Sequence, residues 1–230
     1  MKKLLLFITL LTIACQNNNK SFSLNNIENG VIYEVNVRQY SETGHFDDFT
    51  KDIHKLKDLG VKIIWLMPIH PISQIKRKGT LGSYYSISDY KQVNPEFGSK
   101  EDLDELIAEA HKNDMLVILD WVANHTGWDH DWINTNPEYY TKNSNGEITD
   151  PINPDTGQSW GWTDVADLNF DNMEMQNEMI EAMEYWVKEH DIDGYRLDAA
   201  HSCPPSFWGK SINRLKNIKN VLMLAESDGY

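Results

Sequence analysis

Two carboxylates, Asp198 and Glu226, each come directly after a short apolar run. Reactive side chains are often placed at the ends of such runs. Asp198 follows Gly194–Leu197, and Glu226 follows residues 221–225. Such runs predict buried strands, and the carboxyl ends of parallel strands meet at one rim of a sheet. Cleavage of a glycosidic bond requires two carboxyl groups that face each other across the bond. The pair therefore predicts a sugar-cleaving enzyme.

The two carboxyl groups need different protonation states. The bond breaks through an oxocarbenium-like transition state, so one carboxylate must be ionised while another carries a proton for the leaving oxygen. Arg196 lies two residues before Asp198 on the same strand face, and its charge is expected to hold Asp198 ionised. Glu226 follows apolar residues near an existing anion, which is expected to favour its protonated form. Taken individually, Arg196 and Asp198 also fit an ordinary surface ion pair, and Glu226 also fits a solvated loop residue.

The elements that must position these groups alternate between strand and helix. Apolar runs predict five strands, at residues 31–37, 61–67, 115–119, 194–197 and 221–225. Helical spacing of apolar residues predicts helices near residues 49–59, 100–113, 173–188 and 205–217. Ser99 and Asp102 form a plausible cap pair for the second of these helices. Runs that are apolar throughout, rather than alternating, indicate parallel strands buried on both faces.

The spacing between the strands indicates an insertion after the third one. Asp120 and Asp198 are 78 positions apart, whereas Asp198 and Glu226 are 28 apart. The segment 121–167 holds five of the eight tryptophans: Trp121, Trp128, Trp132, Trp160 and Trp162. These rings fit two interpretations equally well, stacking on sugar rings or forming the small core of an inserted subdomain.

Composition limits the classes of partner. The chain has 230 residues, 40% of them hydrophobic, with a formal net charge of -14 and a pI near 4.9. This composition is that of a globular protein with enough apolar material for one sizeable core. The acidic balance argues against nucleic acid as a partner, because nucleic-acid binders present a basic face.

The first residues are typical of an export signal. Residues 1–15 combine a basic start with an apolar run too short to span a bilayer, and they end in Thr-Ile-Ala-Cys15. This resembles a bacterial lipoprotein box, which predicts a lipid on Cys15, a polar tether at residues 16–28 and a location facing the periplasm or at the cell surface. An ordinary secretory peptide is the alternative. With Cys15 acylated, Cys203 is expected to be a free structural thiol.

Several collinear motifs resemble the α-amylase family of retaining α-glucan hydrolases and transferases. They are GVKIIWLMP at residues 60–68, LGSYYSISDY at 81–90, VNPEFG at 93–98, LDWVANHT at 119–126, VADLN at 165–169, DGYRLDAAH at 193–201 and LAE at 224–226. The resemblance covers roughly residues 30–230. It implies an α/β fold, the (β/α)8 TIM barrel, with a small subdomain inserted after strand three.

The resemblance also implies roles for individual residues. It makes Asp198 the nucleophile, Glu226 the acid/base and Arg196 their anchor. The further residues that it assigns near the substrate are Tyr85, which stacks on the sugar, His125, which bonds a hydroxyl, Asp120, which braces the site, and His201. Family members place Lys-His three and four residues after the nucleophile, whereas here His201 comes one residue early and the lysine is missing. No cofactor is needed for the chemistry, and Asn124 resembles a ligand of a structural Ca2+, with Asp164 as a further candidate ligand.

The expected layout is a barrel in two parts, residues 29–120 and 168–230, with the inserted subdomain at 121–167. The chain is expected to be the N-terminal portion of a longer enzyme, truncated after about strand five and inactive by itself. Three readings stay open: an α-amylase-type hydrolase of starch, glycogen or maltooligosaccharides, an α-glucosidase or transferase of the same family, and a lipid-anchored glucan-binding protein without catalysis.

Overall fold

A five-stranded parallel sheet is the centre of the structure. The computed structural model describes residue 27 and residues 29–153 and 156–227. The five strands of the sheet, together with the two strands of a separate pair, are β1 (Val31–Val35), β2 (Val61–Leu66), β3 (Leu116–Trp121), β4 (His125–Gly127), β5 (Val165–Asp167), β6 (Gly194–Leu197) and β7 (Leu222–Ala225). The order in the sheet is β1-β2-β3-β6-β7, and every neighbouring pair is parallel. The five predicted barrel strands are confirmed.

Helices connect these strands, as in βα units. They are α1 (Val37–Tyr40), α2 (Phe46–Asp58), α3 (Lys100–Lys112), α4 (Trp132–Thr135), α5 (Met173–Glu189) and α6 (Pro205–Lys216), with 3-10 turns at Pro137–Tyr139 and Ala200–Ser202. The predicted cap of α3 is confirmed, because the Ser99 side chain accepts from the backbone of Asp102 and the Asp102 side chain accepts from the backbone of Ser99. The prediction for the first strand was too long, since the chain leaves the sheet after Val35 and turns into α1.

The insertion lies between β3 and β6. There β4 and β5 pair antiparallel, separate from the main sheet. A parallel sheet with connecting helices and an excursion at this point is part of a (β/α)8 barrel, as predicted.

The core lies on both faces of the central strands. All four residues of β6 are buried, as are five of the six in β3, whereas β1 and β7 at the two ends of the strand order are more exposed. Close packing of β6 against β7 requires a glycine at position 194. Gly194 has a φ of +152°, and a Cβ added there would collide with the backbone of Leu222.

Several sequence predictions fall on residues that the structure does not describe. The export signal, Cys15 and the polar tether apart from residue 27 all lie outside the described residues. Every helix among the described residues is too short or too polar to span a bilayer. Cys203, in contrast, is described, and its thiol is buried and free.

Candidate active site

The two predicted catalytic carboxylates meet at the carboxyl ends of β6 and β7. Asp198 comes directly after β6, and Glu226 comes directly after β7. The backbone ties the two segments together, because Glu226 N donates to Leu197 O over 3.0 Å and Ala200 N donates to Glu226 O over 2.9 Å. Neighbouring parallel strands have therefore delivered both acids to the same rim.

Arg196 is the hub of this rim. Its Nη1 lies 2.8 Å from Asp120 Oδ1 and 2.9 Å from Asp198 Oδ1. Its Nη2 lies 2.7 Å from Glu226 Oε1. One guanidinium thus contacts three carboxyl groups, so the cluster has more negative groups than positive ones. The prediction that Arg196 and Asp198 share one face of β6 is confirmed.

Asp120 braces the hub from β3. Asp120 lies opposite Arg196 in the pairing of β3 with β6, and the Asp120 side chain is fully buried. Besides Arg196, it accepts hydrogen bonds from Trp65 Nε1 at 3.1 Å and from the Tyr85 hydroxyl at 3.3 Å. A buried carboxylate with donors on both oxygens is fixed in position.

The electrostatics of the hub differ from the sequence expectation in one respect. Burial raises the pKa of Asp198 to about 6; the charge of Arg196 opposes this, and the Glu226 carboxylate adds to it. Arg196 therefore acts on Asp198 in the predicted direction, but it does not outweigh desolvation. Burial works to lower the pKa of Arg196 as well, yet its hydrogen bond to Asp120 and the surrounding carboxylates raise it well above its ordinary value. Arg196 stays charged, and Asp198 is mostly ionised at neutral pH.

Both oxygens of Glu226 face donors. Oε2 accepts from the backbone N–H of Ala199 at 2.8 Å, and Oε1 faces Arg196. The carboxyl group is half-exposed, with 48% of the side chain accessible against 14% for Asp198. Glu226 therefore lies toward solvent, where a leaving group has room, and Asp198 lies deeper.

Ala199 itself has a strained backbone. It adopts the left-handed conformation with φ 41° and ψ 47°, which a residue with a Cβ rarely adopts. This conformation follows immediately after Asp198 and aims the Ala199 N–H at Glu226. Strain of this kind is found where a site imposes its geometry on the backbone.

A pocket of about 300 Å3 opens above these groups. Its lining consists of Ser83, Tyr85, His125, Trp162, Asp164, Val165, Asp198, Ala199 and Glu226. Tyr85 comes from the loop after β2 and His125 from β4, so the insertion supplies one wall. Burial lowers the pKa of His125 to about 4, against the opposing charge of Asp164, so its ring is neutral at pH 7. His125 Nε2 is buried and makes no hydrogen bond to any described residue.

Four predicted residues do not line this pocket. Arg196 and Asp120 contact the lining residues Asp198 and Tyr85, respectively, whereas His201 and Asn124 lie elsewhere. His201 is exposed, in the 3-10 turn after Asp198, and its contact with substrate stays a prediction. Asn124 is buried behind His125, and the two side chains lie 3.2 Å apart, Nδ2 to Nδ1. Among the described residues no group of three or more His, Cys, Asp or Glu side chains is arranged to hold a metal. Calcium binding at Asn124 therefore rests on the sequence alone.

Two residues at the site, Trp65 and Lys78, were not singled out from the sequence, whereas Asp164 was named there as a candidate calcium ligand. Trp65 on β2 bonds Asp120 and lies under Arg196, with the guanidinium carbon 4.9 Å from the ring centre. Lys78 and Asp164 form an ion pair of 2.9 Å that joins the loop after β2 to the insertion. Trp65 belongs to the motif at residues 60–68, so the sequence already placed it on β2. The Lys78 contact joins residues 86 positions apart and had no local signal.

Comparisons with known proteins show the family of this chain. The model of the family described as "Alpha amylase, catalytic domain" matches residues 20–219. The chain belongs to the alpha-amylase family. Among its relatives in that family, "Alpha-amylase 3" of Dictyoglomus thermophilum is 30% identical over 228 residues, covering 86% of this chain and 43% of the relative. The "Oligo-1,6-glucosidase" of Bacillus cereus is 30% identical over 197 residues, covering 73% of this chain and 34% of the relative.

A solved structure of the alpha-amylase family superimposes well. The crystal structure of an alpha-amylase from Lactobacillus plantarum matches with a TM-score of 0.80 and 39% identity, covering 88% of this chain and 46% of that one. The chain thus spans less than half the length of these relatives. What it shares with them is the alpha-amylase fold.

Proposed function

We propose that this chain carries the nucleophile and the acid/base of a retaining hydrolase that cleaves α-glucosidic bonds. The observation that carries the proposal is the shared guanidinium: Arg196 contacts Asp198 at 2.9 Å and Glu226 at 2.7 Å, and both carboxyl groups line one pocket. Two carboxyl groups so close to one side chain are within reach of the same glycosidic bond, as a retaining mechanism requires.

In the first step an oxygen of Asp198 attacks the anomeric carbon, and the bond from that carbon to the leaving oxygen breaks. Glu226 gives its proton to the leaving oxygen, and the electron pair of the broken bond stays on that oxygen. In the second step Glu226 takes a proton from water, whose oxygen displaces Asp198 from the anomeric carbon. Arg196 faces whichever carboxyl group is charged, Asp198 before the attack and Glu226 after it has given its proton, and no cofactor is needed.

The substrate class follows from the pocket wall and the relatives. Tyr85 and Trp162 give the pocket aromatic surface, and His125 lines the same pocket. Relatives named as an alpha-amylase and an oligo-1,6-glucosidase support an α-glucan. We therefore propose starch, glycogen or maltooligosaccharides as substrates. An α-glucosidase or a transferase with the same residues is the second candidate, and a non-catalytic glucan-binding protein is the third.

The test compares three variants of the natural protein that contains this chain. Release of reducing sugar from starch and maltooligosaccharides is expected for the unchanged protein. It should fall by at least about a thousandfold in Asp198→Asn and in Glu226→Gln, because each removes one half of the acid–nucleophile pair. Asp58→Asn is the matched control, since Asp58 is exposed at the far end of α2. Unchanged turnover in Asp198→Asn would refute the proposal, and product analysis with an acceptor sugar separates hydrolysis from transfer.

The predicted inactivity of residues 1–230 by themselves is checked by the same assay on that chain alone; steady turnover would refute it.

Export with a lipid on Cys15 is proposed from the sequence of residues 1–15. Detection of an acylated Cys15 at the N-terminus of the cell-made protein would support it, and an unmodified N-terminus elsewhere would support simple secretion. Calcium at Asn124 stays a prediction, checked by the change in melting temperature on addition of a chelator.

A further inference from the structure

Three consecutive basic residues, Lys76, Arg77 and Lys78, lie in the loop after β2. The middle one serves its own loop, because the Arg77 guanidinium donates to the carbonyls of Ser73 and Thr80 over 3.0 and 3.3 Å. The two lysines contact the insertion instead. The basic run therefore joins two segments that are distant in the sequence.

The two lysines make different contacts with the insertion. Lys76 Nζ lies 3.1 Å from the centre of the Trp128 ring. Lys78 Nζ donates to Gly161 O over 2.9 Å and pairs with Asp164 Oδ1 at the same distance. The backbone of Lys76 has a φ of 55°, in the left-handed region that a residue with a Cβ adopts at a cost. Such strain is found where a site imposes its geometry on the chain.

The acidic partner of Lys78 belongs to the pocket. Asp164 lines the pocket together with Asp198 and Glu226, so three carboxyl groups line one cavity. The Asp164 side chain is only 10% accessible, whereas that of Lys78 is 51% accessible. A carboxylate that is nearly buried needs a partner, because water hydrates it poorly. Lys78 supplies this partner from the solvent side of the pocket wall.

Buried contacts also join the loop after β2 to the insertion. Ser86 Oγ donates to Asp164 O over 2.9 Å, and Gly127 N donates to Ile87 O over 2.7 Å. Ser86 directly follows Tyr85, which lines the pocket on the side of the loop. These contacts hold the base of the junction without any help from Lys78.

Lys78 holds the outer part of the insertion wall. Its contact with Gly161 O falls between Trp160 and Trp162, whose side chains keep 49% and 38% of their surface accessible. Trp121, at the start of the insertion, is in contrast fully buried. Loss of Lys78 would therefore release an exposed segment of the wall while the buried base stays in place.

We propose that Lys78 is a positioning residue for the reaction assigned to this pocket, and that its contacts hold the insertion wall where the substrate binds. This inference rests on the proposed function. Loss of Lys78 should weaken substrate binding, because Asp164 loses its partner and the outer wall loses a contact. The chemical step should remain, since Arg196 still contacts Asp198 and Glu226.

The experiment measures kcat and KM for maltoheptaose with the natural protein that contains this chain. Lys78→Met should raise KM by about three- to tenfold and change kcat by less than about twofold, because the wall is loosened and the reacting groups are not. Lys78→Arg, which keeps the charge, should restore most of the affinity. Lys112→Met is the control and should change neither constant, since Lys112 pairs with Glu109 on α3 and is 74% accessible.

Two further measurements separate an ionic contact from general packing. An α-glucan is uncharged, so salt acts on KM through the charges of the protein. The KM of the unchanged protein should rise by about two- to threefold from about 0.05 to about 0.5 M NaCl, because the half-exposed pair is screened, and that of Lys78→Met should not. In an Asp164→Asn background, Lys78→Met should raise KM by less than about twofold, since no charge is left unpaired.

The outcomes distinguish this inference from the proposed function. An unchanged KM in Lys78→Met, a loss of kcat alone, or an equal rise of KM in both backgrounds would overturn the role of Lys78 and leave the proposed function standing. If Lys78→Met does not fold, the salt dependence of the unchanged protein decides, and a KM that ignores salt overturns the inference. If the unchanged protein releases no reducing sugar from maltoheptaose, both proposals are overturned.

Discussion

Arg196 on β6 holds Glu226, the residue after β7, through a contact of 2.7 Å between Nη2 and Oε1. The proposed acid/base thus takes its place from a side chain of the neighbouring strand. The same guanidinium contacts Asp120, whose carboxyl group is fully buried. Arg196 therefore has a structural role at Asp120, in addition to the role proposed for it at Glu226.

Replacement of Arg196 by methionine should destabilise the chain by about 3–5 kcal/mol, because it leaves the buried carboxylate of Asp120 without its ionic partner. The measurement is the free energy of unfolding in urea. Arg214→Met is the control, since Arg214 pairs with Glu184 at 2.7 Å but keeps 30% of its side chain accessible. That variant should lose only about 0–1 kcal/mol. Equal losses in the two variants would contradict a buried role for Arg196.

Stability should depend on pH through Asp198. Its pKa is raised in the folded state from 3.8 to about 6, chiefly by burial, so the folded chain binds this proton more tightly than the unfolded chain does. The contribution of Asp198 to stability is therefore largest at low pH and falls as pH rises through about 6. In Asp198→Asn this titration is absent. The difference in unfolding free energy between the unchanged chain and the variant should fall by on the order of 2 kcal/mol from pH 4 to pH 7. Parallel pH profiles would show that burial does not control this carboxyl group.

His111 should stabilise the opposite end of the sheet at acidic pH. His111 Nε2 lies 2.7 Å from Asp193 Oδ2, and the hydrogen bond to Asp193 raises the pKa of His111. A raised pKa means that this stabilisation is present in full below the ordinary pKa of histidine and disappears as pH rises through the folded value. His111→Gln should therefore cost about 0.5–1 kcal/mol at pH 5.5 and less at pH 9, since the ring is partly exposed. His54→Gln on the exposed face of α2 is the control. A loss that is the same at both pH values would contradict an ionic contribution from His111.

Glycine at position 199 should relieve strain. Ala199 has a φ of 41°, and replacement by glycine should raise the free energy of unfolding by about 0.5–1 kcal/mol, because glycine adopts the left-handed region without a Cβ clash. The same change at Ala182, in the interior of α5, is the control and should destabilise the chain. A destabilising Ala199→Gly would show that the backbone at this position is not strained.

The sequence was sufficient for the barrel strands, because each is a mainly apolar run and the order of the strands in the sheet follows their order in the chain. It was also sufficient for the meeting of Asp198 and Glu226, since both residues come directly after adjacent strands. It did not show that burial raises the pKa of Asp198 more than the charge of Arg196 lowers it. The burial of Asp198 depends on packing from β3, the insertion and the loop after β2. Nor did it distinguish Trp160 and Trp162 from the buried tryptophans, since their exposure depends on the contacts of Lys78 and Pro151 with the same turn.

Covalent labelling of Asp198 tests the central claim most directly. A ring-fluorinated α-glycosyl fluoride has a leaving group that needs no acid, and its ring fluorine slows the second step, so the glycosyl group should accumulate on the nucleophile. Mass spectrometry of peptides from the natural protein that contains this chain should find the adduct on Asp198. The adduct should be absent in Asp198→Asn and present in Glu226→Gln. An adduct on another residue, or none at all, would contradict the assignment of Asp198 as the group that attacks the sugar.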